Sequence, residues 1–267
     1  MKLTTIALVL LTSVTPAIAH QDDSCDINLR GDVHYNPAQI TLTLPNRDEV
    51  QINQDHSLYL NAQPVHLNAS QQADVTGYYE AISEAVPMSM EIADKGLKMA
   101  DSAVTEVFAH LLGEDDELIT EFQTSFAEMR QSLEQQFYTD DGSIKITANN
   151  DASDNWLGSD WEQEFEQRIE DLAERATGKL LMALAGQWFS SDDNLESFEQ
   201  RMENFGEDLE SRMEEQAQML EQQASKLCRI LRRADGYENH MQRTIGGLDD
   251  LNMLDLETHR SHHSAKM

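Results

Sequence analysis

The spacing of apolar residues changes once along this chain, and that change constrains the fold more than any single motif. Between residue 25 and about residue 70 apolar positions alternate, as in Ile40-Thr41-Leu42-Thr43-Leu44 and again in Val50-Gln51-Ile52. Pro45-Asn46-Arg47-Asp48 separates these runs as a turn. Ser57-Leu58-Tyr59-Leu60, Asn61-Ala62-Gln63 and Pro64-Val65-His66-Leu67 read as strand, turn and strand, so a hairpin is expected without a glycine in its turn. From about Ala73 the spacing becomes three and four and stays there, which is the period of amphipathic helices. Strands this short need a covering layer on one face, and long helices supply it.

Four helical stretches are predicted. The first carries Ile82, Val86, Ala93, Leu97, Ala100, Val104, Val107 and Leu111, with a break expected before Pro87 and an end at Gly113. The second carries Leu118, Phe122, Phe126, Met129, Leu133 and Phe137, and the third runs from Trp161 through Phe165, Ile169, Leu172 and Ala176 to Leu180. The fourth is the longest, from Leu195 through Phe198, Met202, Phe205, Leu209, Met213, Leu220 and Leu227 to Leu231, with Ser191-Asp192-Asp193 as its cap. Ser143 to Thr147 reads as one more strand, and Ala148 to Asn155 as an Asx-rich loop. The fold class is therefore α+β, mainly α: short antiparallel N-terminal strands and hairpins, then long amphipathic helices forming a bundle or an imperfect coiled coil. The spacings mix threes and fours without a strict heptad, which favours a bent coil over a zipper.

Residues 1–19 stand apart from this pattern. Lys2, an apolar or small run from Leu3 to Val14, and Pro16-Ala17-Ile18-Ala19 read as a secretory signal peptide cleaved after Ala19. The run is shorter than the roughly 20 apolar residues that a membrane-spanning helix needs. The expected organisation is a signal over 1–19, a β-hairpin region over 20–70, an acidic helical region over 71–258 with a loop at 139–160, and a disordered histidine-containing tail over 259–267. Export places the mature protein in the periplasm, with no stable membrane insertion.

Charge narrows the partners. The chain has 19 Lys and Arg against 49 Asp and Glu, a net charge of −30. Such a balance excludes nucleic acid, whose affinity rests on cations neutralising phosphates. It equally opposes docking on anionic lipid. Basic peptides, basic patches on other envelope proteins and metal ions remain, beside the plain role of keeping an exported helical protein soluble.

Cys25 and Cys228 are the only cysteines. An even count in an oxidising compartment reads as one disulfide, the alternative being two unpaired thiols. Two sets of side chains suggest metals. His259, His262 and His263 lie near Asp255 and Glu257, and His259 and His263 would share a helical face, which suits zinc or copper. Asn149, Asp151, Ser153 and Asn155 resemble the start of a calcium loop, but Asp154 stands where glycine is needed and Asp160 where glutamate is needed. No nucleophile elbow, phosphate-binding glycine loop or His-Glu-x-x-His occurs, and no carboxylate pair stands out. The sequence thus predicts a protein without catalytic residues or a cofactor.

A signal peptide, Cys25-Asp26-Ile27-Asn28-Leu29, the stretch Leu58-Tyr59-Leu60-Asn61-Ala62-Gln63-Pro64-Val65-His66-Leu67, and long acidic helices with one late cysteine resemble the YggN-like family. Those are periplasmic proteins of gammaproteobacteria that share a domain of unknown function. The resemblance covers nearly the whole mature chain, implies a Gram-negative periplasm, and carries over no site residues. The expected function is a non-enzymatic periplasmic protein that contacts other proteins, as a scaffold, assembly or envelope-stress factor, or that pairs with its own copies. The alternative is an acidic cation-binding or cation-buffering protein.

Overall fold

The structure is a computed structural model that describes residues 26–113, 115–148, 166–179 and 193–257. Six short strands form one antiparallel sheet: β2 (Asp32–Asn36), β3 (Gln39–Thr43), β4 (Glu49–Asn53), β5 (Leu58–Leu60), β6 (Gln63–Pro64) and β7 (Ile144–Ile146). Their spatial order is β6-β5-β4-β3-β2-β7. The alternation read from the sequence sets the register, with Val33 opposite Leu42, Leu42 opposite Val50, and Ile52 opposite both Ile40 and Leu58. These residues all fall on one buried face. The other face is an amide network, in which Gln39 and Gln51 both donate to Asn53 Oδ1 at 3.0 and 2.9 Å and Asn53 donates to Ser57 Oγ at 3.0 Å.

The hairpin between β5 and β6 turns without glycine, as expected. Asn61 and Ala62 both take positive φ, 49° and 61°, the pattern of a type I′ turn. Asn61 compensates with its side chain, which accepts from Glu49 N at 2.9 Å and donates to Asp48 at 2.9 Å. Ala62 has no such compensation, because its methyl group makes no hydrogen bond.

Helix α1 (Ala69–Leu112) begins with a full capping box: Asn68 Oδ1 accepts from Ser70 N and Gln71 N, and Gln71 Oε1 accepts from Asn68 N. The break expected before Pro87 does not occur. Pro87 sits inside a continuous helix and is exposed, so tertiary packing on both flanks overrides the lost N–H. Gly113 ends α1 at φ 96°, as the sequence indicates. Asp116 then caps α2 (Glu117–Phe137) by accepting from Leu118 N at 2.9 Å. A third helical stretch, α3, covers residues 166–179, and α4 spans Asp193–Thr244.

Cross-pairs define how these helices run. Gln71 bonds Thr244, Glu84 pairs with Lys226, and Glu106 pairs with Arg212, so α4 lies antiparallel along nearly the whole of α1. Phe108 stacks on Phe122 and Asp101 faces Arg130, so α2 folds back along α1. Glu128 with Arg168, Glu121 with Arg175, and Asp116 with Lys179 set α3 antiparallel on α2. Two cores result. The larger lies between the sheet and the base of α1 and α4; the smaller gathers Leu118, Phe122, Phe126, Met129, Leu172 and Ala176 beside the distal half of α1.

The chain does not stay helical to residue 258. α4 ends at Thr244, and after a turn through Gly246-Gly247 the chain forms β8 (Leu254–Glu257). That strand pairs antiparallel with β1 (Asp26–Leu29) in a ribbon separate from the main sheet. The preceding segment, from Ile245 to Met253, buries Ile245, Leu248, Leu251 and Met253 in the larger core.

Candidate functional site

The chemistry of the molecule concentrates where α1, α4 and this returning segment meet. Along α4 an apolar stripe runs Ile230, Ala234, Met241, with Ile245 just beyond, and the position between Ala234 and Met241 that continues it is Glu238. Helical spacing therefore drives a carboxylate into the core, where it is 1% exposed. Its Oε1 accepts from Met253 N at 2.6 Å and Leu254 N at 3.1 Å, and its Oε2 accepts from the Tyr78 hydroxyl at 3.1 Å. One side chain thus ties α4 to α1 and to the backbone leading into β8.

Burial pushes Glu238 up from an ordinary 4.5 to about 7, against the lowering effect of its three hydrogen bonds and with some help from the nearby Asp235 charge. Burial also raises the fully enclosed Tyr78 hydroxyl well above its usual range, and the Glu238 charge adds to this. Asp235, one turn back, is raised by its own partial burial. A perturbed buried carboxylate is a common mark of an active site. Here, however, both oxygens are committed to partners within the fold and the group is enclosed, so the arrangement works as a latch. Two residues further along, His240 Nδ1 contacts Asp74 Oδ2 and makes a second, more exposed tie between α4 and α1.

Beside the latch lies an apolar cavity of about 280 Å³. Val33 of β2 and Ile146 of β7 form its sheet wall, and Ile82, Ala85 and Val86 of α1 form another. Leu227 and Leu231 of α4 face Leu29 and Leu254 of the β1–β8 ribbon. Among the described residues its one polar side chain is Ser89, which donates to Val86 O at 2.7 Å. A second, polar groove runs between α1 and α2 past Glu91, Asp94, Lys98, Arg130 and Glu134. Its cations are paired with acids of α1, Lys98 with Asp94 at 2.6 Å and Arg130 with Asp101 at 3.9 Å.

Of the residues singled out in the sequence, Cys228 is buried on α4 beside Leu227. Cys25 lies outside the described residues, as do His259, His262, His263 and the Asx-rich loop that resembled a calcium site. Among the described residues, no group of three or more His, Cys, Asp or Glu is placed to hold a metal. None of their helices is long and apolar enough to cross a membrane. Glu238, Tyr78 and the Asp74–His240 pair were missed at the level of sequence. The available signal for Glu238 was an acid standing in register with an apolar stripe.

Neither curated proteins nor solved structures include a match to this chain. A family model described as a protein of unknown function, DUF2884, matches residues 25–254. That span runs from the cysteine before β1 to the first residue of β8 and so contains β1 to β7, the helices and the latch. The chain belongs to the DUF2884 family of proteins of unknown function.

Proposed function

We propose that the protein works in the periplasm as a non-enzymatic interaction protein that holds basic surfaces of other envelope proteins against the acidic flank of α4. The observation that carries this reading is the distal half of that helix. No residue from 203 to 226 is buried, although Phe205, Leu209, Met213 and Leu220 form a half-covered seam toward α1. Glu203, Glu207, Asp208, Glu210, Glu214, Glu215 and Glu221 share this stretch with only Arg212 and Lys226. Both cations are engaged by α1, Arg212 as a fork on Glu106 at 3.0 and 2.6 Å and Lys226 on Glu84 at 2.7 Å. Met219, 54% exposed, adds an adaptable apolar contact. Charge of one sign, unspent within the fold, steers partners of the opposite sign.

The signal-like start and the YggN-like resemblance support the compartment. A Cys25–Cys228 disulfide belongs to the same reading. Leu29, four residues past Cys25, and Leu227, beside Cys228, line one cavity, and this supports the pairing. In-cell cross-linking of the tagged protein, with mass spectrometry of what it holds, tests the proposal. Reproducible capture of the same basic envelope proteins is expected, lost when Glu207, Glu210, Glu214 and Glu215 are changed to Lys. Capture unaffected by that charge reversal, or recovery of the protein in the cytoplasm, refutes it.

A further inference from the structure

We propose that the cavity beside the latch is a binding site for one unbranched aliphatic chain whose headgroup carries no negative charge, an assignment that goes beyond the contact function above. Protein interiors are close-packed, and voids much larger than a water molecule are few. A volume of about 280 Å³ is far above such leftovers and close to the lower end of small-molecule sites. A cavity of roughly 150 Å³ accommodates a six-carbon ring, so this one accommodates a chain of about ten carbons.

The walls select the chemistry. Among the described residues, every lining side chain but Ser89 is hydrocarbon, and all of those are aliphatic. A buried water needs two to four polar partners, whereas the Ser89 hydroxyl already donates to the Val86 carbonyl. The walls therefore give water little to hold, and an apolar occupant displaces no tightly bound solvent. Aliphatic walls drawn from six separate elements conform to a flexible chain, and no described lining residue offers an aromatic face for ring stacking. On the β1–β8 ribbon that carries two of the lining leucines, Arg30 and Asp255 are paired with each other. No charged side chain is among the described lining residues, and the net charge of −30 repels an anionic headgroup.

Titration of the full chain with n-alkyl maltosides of six to twelve carbons, below their micelle concentrations, tests the site, read by the methyl resonances of Val33, Ile82 and Leu231. Affinity is expected to rise about fourfold per methylene, the value for burying one CH₂, and to level off near ten carbons. Decanoate, the same tail on a carboxylate, is expected to bind at least tenfold more weakly than decyl maltoside. Ala85→Leu fills the cavity and should cut decyl maltoside affinity at least tenfold. Leu231→Ala enlarges it and should move the levelling-off to longer chains, which keeps the test decisive if the filled variant does not fold. Absence of saturable shifts with decyl maltoside overturns the proposal. So does affinity that keeps climbing through twelve carbons in the unaltered protein, or that ignores both substitutions.

Discussion

Replacing Glu238 with glutamine should leave the latch intact and remove most of its dependence on pH. A protonated Glu238 keeps both backbone bonds on Oε1 and can turn its own proton toward the Tyr78 oxygen, the hydroxyl switching from donor to acceptor. Glutamine reproduces that arrangement, its carbonyl accepting from Met253 and Leu254 and its amide donating to Tyr78. For an acid raised from 4.5 to about 7 in the fold, the proton stabilises the native state. The contribution is fully present below about pH 4.5, declines as the pH rises, and is gone above about pH 7. At about 1.4 kcal/mol per tenfold change, it amounts to on the order of 3 kcal/mol. Urea denaturation followed by circular dichroism between pH 5 and 8.5 measures it. The Glu238→Gln variant should match the unaltered protein most closely at pH 5 and exceed it by on the order of 3 kcal/mol at pH 8. Repulsion among the many other carboxylates also weakens the fold as pH rises, but it acts on both proteins and cancels in the difference. Two parallel stability curves, or a gap that closes as pH rises, would refute the reasoning.

Glu238→Ala should be the more damaging change, because it strands two backbone N–H groups and the Tyr78 hydroxyl away from water; a loss of about 3 kcal/mol or more in the same urea assay is expected. Ala62→Gly relieves a left-handed alanine and should add about 0.5–1 kcal/mol, visible as a melting temperature higher by roughly 1–4 °C. Gly77→Ala puts a methyl group 2.4 Å from the Tyr237 ring and should cost about 1–3 kcal/mol in thermal melts, with Tyr237→Ala recovering part of the loss in the double variant. Cys228→Ser should lower the melting temperature under oxidising conditions, by the equivalent of about 4–5 kcal/mol for so long a loop. It should make little difference under reductant, and free thiols in protein purified from the periplasm would contradict the bond.

Legibility in the sequence followed the strength of the periodic signal. Strands β3 and β4 could be read because Ile40, Leu42, Val50 and Ile52 alternate with polar residues and are all fully buried. Every apolar residue named for α2 is buried, since a 21-residue helix packed on two sides leaves a clean stripe. Pro87 misled because a local rule about one missing N–H was weighed without the packing that α4 and α2 bring from afar. β8 was invisible for a related reason. Leu254 to Glu257 are too few to show a period, and their partner, Asp26–Leu29, lies more than 200 residues away. The latch escaped because acids are common along these helices, and only the register of Ile230, Ala234 and Met241 distinguishes Glu238 from its solvated neighbours.

The β1–β8 ribbon has a consequence for how the chain comes into being. Its strands are residues 26–29 and 254–257, so nearly the whole polypeptide must exist before either finds its partner. The same is true of the carboxylate on Glu238, whose backbone donors belong to residues 253 and 254. A chain emerging N-terminus first from a ribosome or a translocation pore can wind its helices and zip β2 to β5 early, because those contacts are local. It cannot seal its core. Until the last strand arrives, an ionisable side chain and the apolar base of α4 stay open to water, and the intermediate remains loose enough to be threaded, held by a chaperone or degraded. Completion of the fold is thereby a report that residues 254–257 have been delivered.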